Sequence, residues 1–174
     1  MKHELNLAKE RMANQGPTKY DNCEVNYLYG LDELCKQFIL PTYDMLELGV
    51  NDGVSTELFS YYAQSITAID RKSSSALMRV LRERENIHFL KMDFDEFWKT
   101  NTKKFDLIYI DGCHKFTSVC TDIKNSLLHI KENGIICGHD MTSLTPGVKK
   151  AVNHMFPTKR VHQFCDGSWL ICLP

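Results

Sequence analysis

The stretch from Asp44 to Thr56, Asp-Met-Leu-Glu-Leu-Gly-Val-Asn-Asp-Gly-Val-Ser-Thr, constrains this chain more than any other. A short apolar run ends in an acid and Gly49. Gly53 follows four residues later, and an amphipathic pattern begins at Val54. The order predicts a strand, a tight turn and a helix N-terminus. Glycine lets the backbone turn sharply and leaves no Cβ between chain and ligand. The unpaired N–H groups of a first helical turn face the same spot. A dinucleotide phosphate grip needs G-x-G-x-x-G. Here the spacing is Gly49-x-x-x-Gly53, so a pyrophosphate would meet the side chains of Val50 and Asn51, and Glu47 would repel it. An acid at that point suits a ligand carrying a cationic amine.

With 174 residues the chain can build one domain with a real core. Its formal net charge of −1 gives no global field for nucleic acid or an anionic membrane. No apolar run approaches the ~20 residues of a membrane helix. Met1 to Gln15 is charged and helix-prone, without a signal-peptide core. The cysteines Cys23, Cys35, Cys113, Cys120, Cys137, Cys165 and Cys172 form no C-x-x-C pair, are odd in number and often sit in apolar runs. That usage predicts reduced thiols packed as small apolar residues in a cytoplasmic protein.

Residues 1–24 read as an N-terminal arm, polar to about residue 20, and 25–174 as a single domain. Leu28, Leu31, Cys35 and Phe38 recur at helical spacing before Pro41. That helix either packs on the core or covers a pocket. From Tyr43 the pattern alternates. Strands are predicted at Asp44–Leu48, Ser65–Ile69, Ile87–Lys91, Phe105–Ile110 and Ile135–Gly138. The helices between them carry Val54, Leu58, Phe59 and Tyr62; Leu77, Val80 and Leu81, after N-caps in Ser73–Ser75; a short run from about Asp95 to Thr100; and Val119, Ile123, Leu127 and Ile130, stopped by Asn133-Gly134 as a left-handed cap. Thr145-Pro146 opens a last helix with a capping hydroxyl, burying Val148, Ala151, Val152 and Met155. Arg160–Phe164 and Ser168–Leu173 then flank Asp166-Gly167, a hairpin signal. The fold class is α/β: a mostly parallel seven-stranded sheet with a C-terminal antiparallel hairpin and helices on both faces.

Ligands of such sheets bind at the carboxyl ends of the strands. There the sequence places Glu47 and Gly49, Asp70, Asp93-Phe94, Asp111-Gly112-Cys113-His114, and His139-Asp140. One acid after a strand is ordinary helix-terminus chemistry. Clustered on one edge, these carboxylates call for something cationic or rich in donors among them.

Four blocks carry a family resemblance: Leu46–Gly49 with Asp52–Thr56; Phe105–Gly112 with His114; Asn133–Ile136 with Gly138–Asp140; and Pro146–Val148 with Ala151-Val152. Together, over roughly residues 25–174, the chain resembles the class I S-adenosylmethionine (SAM) methyltransferases. The match is to the compact methyltransferase domain family 24 type, related to small-molecule and sugar O-methyltransferases and cephalosporin-hydroxylase-type enzymes. The resemblance implies the Rossmann-like fold and SAM as cofactor. It sets Gly49, Val50, Asn51 and Gly53 under the methionine part and Glu47 as the motif I acid, acting through water or the amino group. Asp70 takes the ribose hydroxyls, and Asp93 the adenine amine with Phe94 beside the ring. Asp111 lies at the cofactor's reacting end.

A hydroxyl acceptor must lose its proton to a base or to a metal. Metal-dependent relatives place acids after the fourth and fifth strands, where Asp111 and Asp140 fall, but follow the second with Asn; here it is Met141. His139 or His114 would complete a Mg²⁺ or Mn²⁺ site, or else serve as general base. The expected activity is O-methylation of a small hydroxylated or sugar-like molecule. The alternatives are a nucleic-acid methyltransferase, an inert SAM-binding module and a nucleotide oxidoreductase. The nucleic-acid reading lacks an Asn/Asp-Pro-Pro-Tyr/Phe motif and a basic excess, although Lys149, Lys150, Lys159 and Arg160 could form a local patch. Without a separate lid domain, the pocket is expected to be shallow or completed by a second copy of the chain.

Overall fold

The computed structural model describes residues 18–20, 23–25 and 28–174. The arm read over the first residues otherwise lies outside the described residues. Its described parts, β1 (Thr18–Tyr20) and β2 (Cys23–Val25), pair as an antiparallel hairpin. Then come α1 (Tyr29–Phe38), β3 (Asp44–Leu48), α2 (Val54–Phe59), β4 (Ser65–Asp70), α3 (Ser75–Glu83), β5 (Ile87–Lys91) and α4 (Phe94–Thr100). The second half holds β6 (Phe105–Ile110), α5 (Phe116–His129), β7 (Ile130–Gly138), α6 (Pro146–Met155), β8 (His162–Gln163) and β9 (Trp169–Cys172). The main sheet has seven strands in the order β5-β4-β3-β6-β7-β9-β8. Neighbours from β5 to β7 are parallel, and β9 runs antiparallel to β7 and to β8. The order reverses between β3 and β6, which creates a crevice at their carboxyl ends.

Period-two alternation divides the core. Met45, Leu107, Tyr109 and Cys137 join α1, α2 and α3 on one face. Leu46, Leu48, Ile108, Ile110 and Ile136 join α5 and α6 on the other. Phe59 packs edge-on against Tyr109 with ring centroids 4.9 Å apart. Trp169 is fully buried on the opposite face. Each such side chain contributes about 2–3 kcal/mol through burial. Among the described residues no helix is long and apolar enough to cross a membrane, and Cys35, Cys113, Cys120, Cys137, Cys165 and Cys172 form no disulfide.

Several local expectations are corrected. Helix α5 ends at His129, and Ile130 already belongs to β7. Asn133 does adopt the left-handed conformation, with φ 58°. It does so inside β7, where the chain bulges: Phe105 pairs with Ile130 and Leu107 with Ile135, leaving one residue between the pairs on β6 and four on β7. Leu127 is 37% exposed, and the buried face of α5 carries Asp122 and Ser126 beside Val119, Cys120 and Ile123. Ser74 caps α3 through the Leu77 N–H at 3.1 Å. Thr145 precedes Pro146 as expected but makes no cap; its hydroxyl donates to the Asp140 carbonyl instead.

One buried link joins the two ends of the domain. Asp166, fully buried in the β8–β9 turn, accepts the Leu31 N–H at 2.6 Å and the Ser168 N–H at 2.9 Å. Its carboxylate thus satisfies a free donor at the start of α1. Tyr62 adds a bond to Asp32 at 2.8 Å.

Candidate active site

Four strand ends, those of β3, β4, β5 and β6, converge on a cleft of about 590 Å³. The β3 turn is wound tightly, with Gly49, Asn51 and Gly53 at φ 94°, 50° and 80°. Asp70, at the end of β4, holds this turn in place. One carboxylate oxygen accepts the N–H groups of Val50 and Asn51 at 2.9 and 3.0 Å, and the other accepts Lys72 N–H at 3.0 Å. Burial opposes its charge, yet these donors hold Asp70 below the usual carboxylate range. The residue expected to grip a ligand's hydroxyls is therefore already a clamp on the loop.

Asp93 caps α4 by accepting the Asp95 N–H at 3.0 Å. It lines the cleft with Phe94, Gly49, Val50, Asn51, Asp70 and Asp111. Seven of the expected cofactor residues are thus brought together. Glu47 and Gly53 are not on the wall. Glu47 shares the face of Met45, not that of Leu46 and Leu48, and is fully buried beneath α2. Ser55 donates to one of its oxygens and the other has no partner among the described residues. Burial pushes Glu47 up to about 8, with Asp111 and Asp70 adding to it and Ser55 opposing. Any influence on a ligand passes through Ser55, which lines a smaller adjoining compartment of about 130 Å³ with Leu31, Tyr109, Asp111 and His139.

At the switch point Asp111, His139 and Asp140 bring one ligand atom each within 4.8 Å of one another. His114 Nε2 lies 2.8 Å from Asp140, and His139 Nδ1 lies 3.6 Å from its other oxygen. Burial raises Asp111 to about 6, with His139 opposing and Asp140 reinforcing. Burial disfavours charge on His139, but Asp140 and Asp111 prevail and raise it to about 9. At neutral pH His139 therefore carries its proton, which suits a donor better than a base. Asp140 is held below the usual range; burial opposes this, and His139 and His114 outweigh it.

The loop under Asp140 is over-determined. Asp140 sits at φ 60°, a conformation Asp tolerates better than most residues. Its carbonyl accepts Thr142 N–H at 2.9 Å, and Met141 N–H bonds Gly167 at 2.9 Å. The Trp169 indole bonds the His139 carbonyl at 3.2 Å. Thr145, the helix cap that did not form, is one of these ties.

The sequence reading missed the far wall of the cleft, where the first two turns of α5 present Thr117, Ser118, Thr121 and Asp122. The signal was an acid one residue before Ile123 on an otherwise apolar stripe. Three aromatics stay off the cleft wall: Tyr29 is exposed, while Tyr61, under Arg84 at 4.0 Å, and Trp98, against His129 at 4.8 Å, pack on the core.

A family model described as a methyltransferase domain matches residues 46–141, from within β3 to just past Asp140. No curated protein matches the sequence. Among solved structures, a Streptococcus mutans protein assigned as a SAM-dependent methyltransferase superposes with a TM-score of 0.67 at 16% identity, over 86% of this chain and 49% of that one. The chain thus spans about half the length of that protein. The N-methyltransferase NodS from Bradyrhizobium japonicum WM9, in complex with S-adenosylhomocysteine (SAH), aligns at TM-score 0.63 and 17% identity, over 97% of this chain and 95% of that one. An rRNA methylase from Streptococcus thermophilus gives 0.60 at 12% identity, over 82% and 92%. The family match spans more than half of the chain and the strand ends that build the site: this chain belongs to the methyltransferase-domain family.

Proposed function

We propose that the domain binds SAM in the main cleft and transfers its methyl group to a hydroxyl of a small molecule. The observation that carries this reading is the meeting of the Asp70-clamped glycine turn, Asp93-Phe94 and Asp111 in one cleft of a methyltransferase-domain fold. The wall is rich in carboxylates and suits a ligand with an ammonium, a sulfonium and several hydroxyl and amine donors. Asp70, on the cleft wall, would accept from the ribose. Asp93 and Phe94 would flank the adenine. The glycine turn and Ser55 would face the methionine end.

Methyl transfer is an in-line displacement at carbon. The sulfonium loses its charge as the new bond forms, so alignment is the main requirement. A hydroxyl nucleophile must also give up a proton. His114, bonded to Asp140 at 2.8 Å, would take it. Protonated His139 would donate to the acceptor oxygen or balance Asp111. Asp111, His139 and Asp140 also form a hard oxygen–imidazole set that fits Mg²⁺ or Mn²⁺. Bound there, a divalent ion would lower the hydroxyl's pKa, and His139 would first surrender its proton. The side compartment of about 130 Å³ favours a small acceptor. The acidic cleft disfavours a phosphate-rich one, and weak, strongly salt-dependent RNA binding is expected if any is seen.

Calorimetric titration with SAM, in Mg²⁺ and again in EDTA, tests the cofactor. Micromolar binding is expected in both, lost in Asp70→Ala. No binding to the wild type in either buffer would remove the reading. Turnover would be followed as SAH release with a panel of phenols, catechols and sugars. Asp140→Asn keeps a side chain that tolerates positive φ, so the fold should stand. A fall in kcat on the order of 10²–10⁴ is expected. Unchanged turnover in that variant would take both the His114–Asp140 pair and the metal set out of the mechanism.

A further inference from the structure

Asp122 lies in the second turn of α5, only 7% exposed, on the wall of the main cleft. Among the described residues its carboxyl has neither a hydrogen-bond nor an ion-pair partner. Val119 and Ile123 beside it are buried and apolar. A hydrophobic residue would complete that stripe; Asp122 instead sets a largely buried carboxyl on the cleft wall. Its electrostatic neighbours place it in the cleft: it senses Asp95 and Asp93, with no contribution from Asp70 or Asp111. That is the end where Phe94 begins α4, away from the glycine turn.

Given the SAM assignment above, on which this rests, we infer that Asp122 reads the amino edge of the cofactor's adenine. Burial, reinforced by Asp95 and Asp93, raises Asp122 to about 7. The other ionisable group facing it is Cys113, on the loop after β6. As a neutral acid it offers a hydroxyl donor beside a carbonyl acceptor. An amide side chain presents the same pair and binds adenine through N6 and N7. Asp93 is committed to capping α4 through Asp95 N–H and so has less free capacity for the base. Asp122 supplies a second, unoccupied reader from the opposite wall.

The test compares SAH with S-inosylhomocysteine, which carries an oxygen in place of the amine, by calorimetry at pH 6.5. Wild type is expected to prefer SAH by about tenfold or more. Asp122→Leu should bind SAH about ten- to a hundredfold more weakly and lose most of that preference. Asp122→Asn should keep both within about threefold. Equal weakening of both ligands by Asp122→Leu would mark a packing role and overturn the inference, as would unchanged SAH affinity. Should Asp122→Leu not fold, the Asn variant decides, and loss of the preference there overturns the inference. A wild type that binds neither compound fails at the cofactor assignment and takes this inference with it. A wild type that binds SAH without regard to Asp122 leaves the cofactor standing and removes the reader alone.

Discussion

Replacing Glu47 with Gln should make the protein more stable at neutral and alkaline pH, and the gain should vanish near pH 5. Glu47 is fully buried, and one of its oxygens has no partner among the described residues. Folding raises its carboxyl from 4.5 to about 8. A group that holds its proton more tightly folded than unfolded makes stability fall as pH rises between those two values. Below about pH 4.5 both states are protonated and Glu and Gln are equivalent in charge. Above about 8 the folded state must carry a buried anion. Each tenfold change in proton affinity is worth ~1.4 kcal/mol, so the full span is several kcal/mol in order of magnitude. Gln keeps an acceptor for Ser55 and abolishes the titration. Urea denaturation of both proteins at pH 5, 7 and 8.5 should give curves that diverge with pH, the variant on the stable side. Parallel curves would show that Glu47 stays ionised in the folded protein.

Gly49→Ala should be the most damaging single change at the glycine turn. A Cβ there would lie 2.1 Å from the Asp111 carbonyl oxygen, and φ is 94°. The obstacle is backbone: Gly49 N–H bonds Ile69 and Asp111 N–H bonds Leu48, at 3.0 and 2.8 Å, so neither strand end can retreat. A loss of about 3 kcal/mol or more is expected, roughly 10 °C in Tm. Gly53→Ala is the control. Its φ is 80°, but its Cβ would meet the end of the Leu77 side chain at 2.8 Å, which can rotate. A loss of about 1 kcal/mol is expected there. Equal losses in the two variants would show that conformation, and not the Asp111 contact, sets the cost.

These residues also show what the sequence could and could not disclose. The strand ends were legible because alternation of period two and the acids that follow each strand are local signals; Asp70, Asp93, Asp111 and Asp140 fall where the pattern puts them. Glu47 was legible as an acid but not as a buried one, since its depth depends on which face of β3 meets α2. The polar wall of α5 was hidden for a similar reason. Leu127 continues the spacing from Val119 and Ile123, but the helix turns Asp122 and Ser126 inward and leaves Leu127 outside. A strip beside a polar cleft need not be apolar, and periodicity assumes that it is. Asn133 carried a left-handed signal that was correct for the residue and wrong for the element, because a bulge and a helix cap ask for the same φ. The roles of Thr145 and Asp166 depend on partners distant in space or sequence, which composition does not encode.

The Asp166 carboxylate joins residues 135 positions apart. During synthesis α1 emerges early, yet the group that anchors its first turn follows it 135 residues later. Until then α1 has an unsatisfied end and no hairpin to rest on. The sheet from β3 to β7 can assemble before that moment; the wall that Leu31 contributes to the small compartment cannot. A nascent chain would thus form the cleft built on β3 to β6 before the small compartment beside it.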